Sequence, residues 1–407
     1  MTALAQVGPT ESPLLPKPAA DLEAVQRYRL DRVRQMMRAD GVDLCVLANP
    51  ISQRYTCDHR QFSIFQTRMP FSYLFLPVEG PLVMHGTYKD SSPQVHAFRP
   101  GRYRNHFDAG LDISDQGRHL AAEIKAFLRE IGRDDAYPKV ALDRLNPSAA
   151  ASLMQAGMEL ADAETLVERA RIIKSPEEIE LIRYSIAVAE MGITQMEAAL
   201  RPGLTENQLL SFLHQVNTAH DGDWFECRIL ASGWRTNPWY GEASDKIIAA
   251  GELVGFDTDM VGPYGYCADI SRTWYCGPGS PSAEQRALYR HAHDEVQYNK
   301  TLIRPGLRFS ELTQIAFERR PDVKAHHYTC LVHGVGMSDE YPKIPYAEDW
   351  EEFGYEGEIE TGMVLCVESF TGSDQGGEGV KLEDMVLVTE EGCETLSTYP
   401  FDERLMQ

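Results

Sequence analysis

The sequence predicts an α+β protein in two parts. An α/β unit covers residues 21–165 and a larger α+β domain covers 166–407, behind an arm of residues 1–20. Three observations predict this. In the first part, short apolar runs alternate with amphipathic helical stretches. A strong helix start then follows Arg171-Ile-Ile-Lys174: Ser175 is a good cap, Pro176 suits the first helical position, and Glu178 stands three after the cap. Beyond it, long helices are interleaved with strand-like runs, the pattern of helices laid over a mostly antiparallel sheet.

The elements follow in order. Residues 1–20 are rich in Pro and Ala and read as an arm or a disordered lead. Leu22, Val25, Tyr28, Leu30, Val33 and Met36-Met37 recur at helical spacing, and Gly41 ends that helix. Val42–Ala48, Tyr73–Pro77, Pro81–Met84 and Lys139–Asp143 read as strands, with a helix over about 116–132 between the last two. In the second part, helices are expected from Ser175 to about Leu200, from Thr205 toward His220, from Ser282 to about Ile303, and from Ser310. Strands are expected at Ile248–Phe256, Ile270–Trp274, Val364–Glu368 and Met385–Thr389.

Composition narrows the function classes. A chain of 407 residues is too long for one compact core. A net charge of -22 argues against a nucleic-acid or anionic-membrane surface. No apolar run approaches the roughly 20 residues that span a bilayer. The N-terminus lacks the basic and apolar regions of a secretory signal. The eight cysteines form no C-x-x-C pair, and Cys45, Cys227, Cys330 and Cys366 read as small core residues. A reducing cytosol without a disulfide framework is therefore expected.

The densest chemistry lies in Phe256–Asp269. Three carboxylates, Asp257, Asp259 and Asp269, surround a Gly/Pro/Tyr turn flanked by two strands. Antiparallel flanks can aim them into one pocket, where they repel unless neutralised, most simply by a cation. His333, in Leu331–Gly336, and Glu368 and Glu383, at strand ends, extend the set. One imidazole with several carboxylates suits Fe, Mn, Zn or Co, and five or six ligands suit two divalent ions.

In this order, Asp, Asp, His, Glu and Glu resemble the pita-bread metallopeptidase superfamily, which includes methionine aminopeptidase, prolidase, aminopeptidase P and the non-metal creatinase. Asp269-Ile-Ser-Arg-Thr273, His333-Gly-Val-Gly336 and Gly379-Val-Lys-Leu-Glu-Asp384 carry the resemblance. It covers essentially the whole chain, and implies a creatinase-like N-terminal domain followed by a pita-bread catalytic domain.

The departures from the peptidases direct the functional reading. Their metal aspartates are usually eleven apart, but eleven before Asp269 stands Thr258, flanked by Asp257 and Asp259. Where they place a second His, seven after the metal His, stands Glu340, preceded by Asp339. Trp239 takes the place of their substrate His, and Ser369-Phe370 follows Glu368 in place of Pro-Gly. This pattern is similar to the DddP-type dimethylsulfoniopropionate lyases, the branch with an Asp-x-Asp variant and an Asp six residues after the metal His. The resemblance implies Asp257, Asp259, Asp269, His333, Glu368 and Glu383 as metal ligands, Asp339 as general base, iron as the preferred metal, and a homodimer. The expected substrate is a small zwitterion, with a carboxylate at one end and a sulfonium at the other. Trp239, Tyr240 and Tyr328 are the candidate faces for that cation. Burial beside other acids is expected to raise the affinity of Asp339 for a proton. An X-Pro peptidase with relocated groups and an enzyme acting on another betaine-like zwitterion are the competing readings.

Overall fold

The structure, a computed structural model, describes residues 14–407 except 61, 87–92, 102–109, 111 and 134. The first helix, Leu22–Asp40, starts where the Asp21 carboxylate accepts the N–H groups of Glu23 and Ala24. It stops at Gly41, whose φ of 66° lets its N–H return to the last turn. Behind it lies a six-stranded sheet in the order Val95–Arg99, Leu82–His85, Tyr73–Pro77, Leu44–Leu47, Lys139–Leu142, Glu159–Asp162. Leu44–Leu47 pairs antiparallel on one side and parallel on the other, as an α/β unit requires. Helix Ile113–Glu130 buries Leu120, Ile124 and Phe127 against one face.

Of the expected N-terminal arm, residues 1–13 lie outside the described residues. Residues 14–20 are irregular but held: Leu15 donates its N–H to His220 at 3.2 Å and accepts Tyr184 Oη at 3.3 Å. This portion is therefore a strap across the second part rather than a free lead.

The junction runs through helix Ala163–Arg171 into helix Pro176–Ala199, where Ser175 and Glu178 form the expected reciprocal cap. Glu178 also anchors the two parts to each other. Its carboxylate lies 3.1 Å from Arg29 Nε and accepts Tyr266 Oη at 2.7 Å, all three buried. One apolar cluster continues across the same junction, from Val33 and Met37 through Ile182 and Ile186 to Phe256 and Met260.

The second part is antiparallel throughout its larger sheet: Asp339–Ile344, Val332–Val335, Val364–Gly372, Gly379–Val388, Cys393–Thr395. A second sheet orders Ser271–Tyr275, Leu253–Asp257 and Leu230–Ser232, also antiparallel. Helix Ala283–Leu302 packs on Val364–Gly372 and Gly379–Val388, and helix Glu206–Ala219 packs on Pro176–Ala199. The strand expected at Ile248 begins only at Leu253, because Gly251 (φ 90°) turns the chain first. The helix expected from Ser310 is the short Phe309–Ile315, begun at Arg308.

Candidate metal centre

Sheet register gathers the acids. Asp257 ends one strand and pairs with Ser271, so the start of the next strand, just after Asp269, lies beside it. Thr258 holds the turn between them: its hydroxyl donates to the Ala268 carbonyl at 2.7 Å and accepts the Ile270 N–H at 2.9 Å. The residue that breaks the peptidase spacing thus staples the two arms, with acids on either side of it. In the larger sheet Glu368 pairs with Glu383, and His333 pairs with Cys366. Period-two alternation then places Cys366 and Glu368 on one face.

The six predicted ligands, Asp257, Asp259, Asp269, His333, Glu368 and Glu383, are all buried and converge. Ligand atoms of Asp257, Asp259 and Asp269 lie within 4.8 Å of one another, as do those of Asp269, His333, Cys366 and Glu383. Asp269 belongs to both groups. Glu368 closes the circle, with Oε1 3.4 Å from His333 Nε2; Glu383 Oε1 stands at the same distance from that nitrogen. Asp257 Oδ1, Asp269 Oδ1 and Glu383 Oε1 are buried without a hydrogen-bond partner among the described residues. Buried anionic oxygens without donors are costly unless a cation meets them. Two acid groups sharing one aspartate, with free oxygens and an imidazole, fit a pair of divalent ions.

Burial, reinforced by neighbouring acids, holds Asp259 and Asp269 well above the ordinary carboxylate range. Burial also raises Asp257, against the pull of Lys381, and brings Glu368 to about 7 against the same pull. For Glu383 burial loses: Lys381 and His333 keep it well below the usual range. Burial disfavours a charged His333, but Asp339, Glu368 and Glu383 outweigh it and hold the imidazole high.

Lys381 is the residue that the sequence reading passed over. It is fully buried, with Nζ 3.1 Å from Asp257 Oδ2 and 2.9 Å from both Glu368 Oε2 and Glu383 Oε2. It also donates to Ser271 Oγ at 2.8 Å, and Ser271 donates to Glu383 at 2.8 Å. One ammonium thus occupies one oxygen of three ligands. The alternation Lys381, Glu383 on one strand face was the available signal. The cysteines need correction too. Cys227 is only partly buried, packed against Ile229, Trp239 and Phe370, and it also donates to Asp259 Oδ2 at 2.6 Å. Cys330 is buried but polar in use, donating to Glu368 Oε1 at 3.1 Å. Cys366 is a neighbour of the acids rather than a packing residue alone.

Asp339 stands at the edge, with Oδ1 3.7 Å from His333 Nδ1. Its side chain is 61% exposed, so the burial expected of it is absent: it opens a strand that borders solvent. It lines a cavity of about 300 Å³ together with His333, Tyr328, Cys330, Lys343 and Tyr355. Glu340, where a second imidazole would stand in the peptidases, is buried and ion-paired to Lys174 and Arg171.

The three aromatic candidates cluster, but only Tyr328 lines that cavity. Lys381 Nζ lies over its ring, 4.5 Å from the centroid, and Tyr240 stacks on it at 5.4 Å. Tyr240 is 49% exposed at a φ of 82°. Trp239 is buried against Phe370 (5.9 Å) and Ile229 and does not line that cavity. Strand Leu253–Asp257 approaches it so closely that a Cβ at Gly255 would meet its ring at 3.0 Å.

Comparisons with known proteins agree with this architecture. Residues 29–173 match the creatinase/prolidase N-terminal domain, and residues 180–390 match metallopeptidase family M24. Dimethylsulfoniopropionate lyase DddP of Roseovarius nubinhibens is 33% identical over 396 residues, 95% of this chain and 88% of that protein. The lyase of the same name from Roseobacter denitrificans is 34% identical over 397 residues, with the same coverage. An Xaa-Pro dipeptidase of Pyrococcus furiosus is 31% identical over 248 residues, 59% of this chain and 67% of its own. Among solved structures, a dipeptidase from Pyrococcus horikoshii superposes with a TM-score of 0.74 at 20% identity, covering 92% of this chain and 99% of that one. At that identity it speaks for the fold alone.

Proposed function

The chain belongs to metallopeptidase family M24, in the branch of the DddP dimethylsulfoniopropionate lyases, and from that premise we propose that it cleaves dimethylsulfoniopropionate to dimethyl sulfide and acrylate. The observation that carries the reading is the fate of the second peptidase imidazole. Glu340 stands there, buried in ion pairs with Lys174 and Arg171, and so has no part in handling a peptide. Beside it Asp339 faces the cavity with an exposed carboxylate, 3.7 Å from His333.

Two divalent ions, iron foremost and Zn, Mn or Co as alternatives, would be held by Asp257, Asp259, Asp269, His333, Glu368 and Glu383, and would supply Lewis-acid stabilisation of charge gathering at the carboxylate end of the substrate. Asp339 takes the proton from the carbon next to that carboxylate. The electron pair forms the carbon–carbon double bond, the carbon–sulfur bond breaks, and neutral dimethyl sulfide leaves with its pair. Asp339 then returns the proton to water, for which its exposure is suited. Lys381 orients three ligand carboxylates and favours the charged form of Glu383, and Tyr328 with Tyr240 forms an aromatic edge near the cavity. The enzyme is read as a cytoplasmic homodimer.

Headspace measurement of dimethyl sulfide, with metal analysis of the same sample, tests the reading. Dimethyl sulfide and acrylate in equal amounts, from metal-containing protein, are expected. Release of proline from an X-Pro dipeptide, without dimethyl sulfide from dimethylsulfoniopropionate, would overturn it.

A further inference from the structure

We infer that Lys343 binds the carboxylate end of the substrate, which makes a terminal carboxylate a condition of productive binding. The inference rests on the lyase reading and adds to it a residue that none of the metal-centre geometry uses.

Burial alternates along strand Asp339–Ile344 across a bulge between Lys343 and Glu340: Glu340, Pro342 and Ile344 are buried, whereas Asp339, Tyr341 and Lys343 are more exposed. In the ladder Lys343 is the partner of His333, so the two side chains share one side of the sheet. Asp339, His333 and Lys343 accordingly line the same 300 Å³ cavity. A second cavity of about 580 Å³ adjoins it, bordered by His327, Pro345 and Phe353. Lys343 lines both, together with Tyr328, Thr329 and Tyr355, and so stands where the two cavities meet. Its backbone is fixed there by donating its N–H to Tyr355 Oη at 2.7 Å.

The other cations near the inner cavity are engaged. Lys174 and Arg171 are held by Glu340, and Lys381 by the ligand carboxylates. Lys343 Nζ has no ion-pair or hydrogen-bond partner among the described residues. An unpaired ammonium where the two cavities meet attracts the anionic end of the substrate, beside the Lewis-acid role of the ions. The carbon to be deprotonated is bonded to that carboxylate, so holding it at Lys343 brings the C–H group to the strand face that carries Asp339.

The strand is also an edge of its sheet, and an edge lysine guards against unwanted strand pairing. That role alone predicts no change in binding. The test compares metal-loaded wild type, Lys343→Met and Lys343→Arg. For dimethylsulfoniopropionate the Met variant should raise KM by about 10- to 100-fold, with kcat changed less than about threefold, and Arg should recover most of the loss. By calorimetry, propionate should bind the Met variant more weakly by a similar factor, and trimethylsulfonium should bind both alike. An unchanged KM, or equal weakening of the anion and the cation, overturns the inference. Wild type that releases no dimethyl sulfide overturns the lyase reading instead, and the propionate measurement still decides whether Lys343 holds a carboxylate.

Discussion

Glu340 Oε2 lies 3.3 Å from Arg171 Nε, and Lys174 closes on the other oxygen of the same carboxylate. This buried triad ties the strand that carries Asp339 to the junction between the two parts. It also explains why a peptidase imidazole has no room to act there. Removing one partner of a buried ion pair leaves the other uncompensated and costs about 3–5 kcal/mol. Glu340→Ala and Glu340→His should therefore lower unfolding free energy by about that much in urea titrations. Neither should gain X-Pro peptidase activity. A Glu340→His protein with wild-type stability and proline release would show that the position is still a peptidase site.

Asp339 contrasts with its neighbour. Its side chain is 61% exposed and its ion pair with His333 is long, at 3.7 Å, and screened by solvent, so substitution should shift stability by no more than about 0.5 kcal/mol. Asp339→Asn should keep its metal and its melting temperature while kcat falls by about 100-fold or more, as expected when a general base is lost. Elemental analysis and headspace turnover on one preparation check this. Retained turnover would remove Asp339 from the reaction.

How much of this was legible in the sequence depended on whether one residue or a distant pairing set the outcome. The caps at Ser175 and Thr205 are local, and the structure has them. The ligand set was legible through motif order, although the six residues span more than a hundred positions. What sequence could not show was the far side of each contact. Lys381 reads as a polar residue between two apolar ones until the Glu368–Glu383 pairing places it over three carboxylates. Cys227 and Cys330 read as core because their acid partners lie 32 and 38 residues away. Trp239 was singled out by its place in a motif, yet its surroundings, Ile229 and Phe370, come from two other segments and make it packing. Asp339 was expected to be buried beside the other acids, but period-two alternation turns it outward.

Lys381 supplies a third prediction. It fixes one oxygen each of Asp257, Glu368 and Glu383, and outer partners of metal ligands are typically worth about 10- to 100-fold in metal affinity. Lys381→Met should lose affinity for Mn²⁺ by about that factor in competition titrations with a chelator, and Lys381→Arg should lose less. If Lys381 were only a competing positive charge, its removal would tighten metal binding. Tighter binding in the Met variant would therefore contradict a positioning role.

The acids also predict how metal uptake responds to pH. Burial raises Glu368 to about 7 in the chain without metal, and raises Asp257, Asp259 and Asp269 as well. A raised carboxylate favours its protonated form in the fold, so its contribution to stability is present at low pH and lost as pH rises through about 7 for Glu368. Metal ions bind the deprotonated form and therefore act in the opposite sense: they displace protons below that pH and offset the repulsion above it. Affinity for Mn²⁺ should consequently fall as pH drops below about 7, by about tenfold per unit for each proton displaced. It should level off above that range. The rise in melting temperature on adding metal should grow with pH in parallel. Calorimetry in buffers of different ionisation enthalpy reads the proton release directly, and Glu368→Gln should reduce it. Metal affinity that stays constant from pH 6 to 8, with no proton released, would mean that these carboxylates are already ionised in the folded chain.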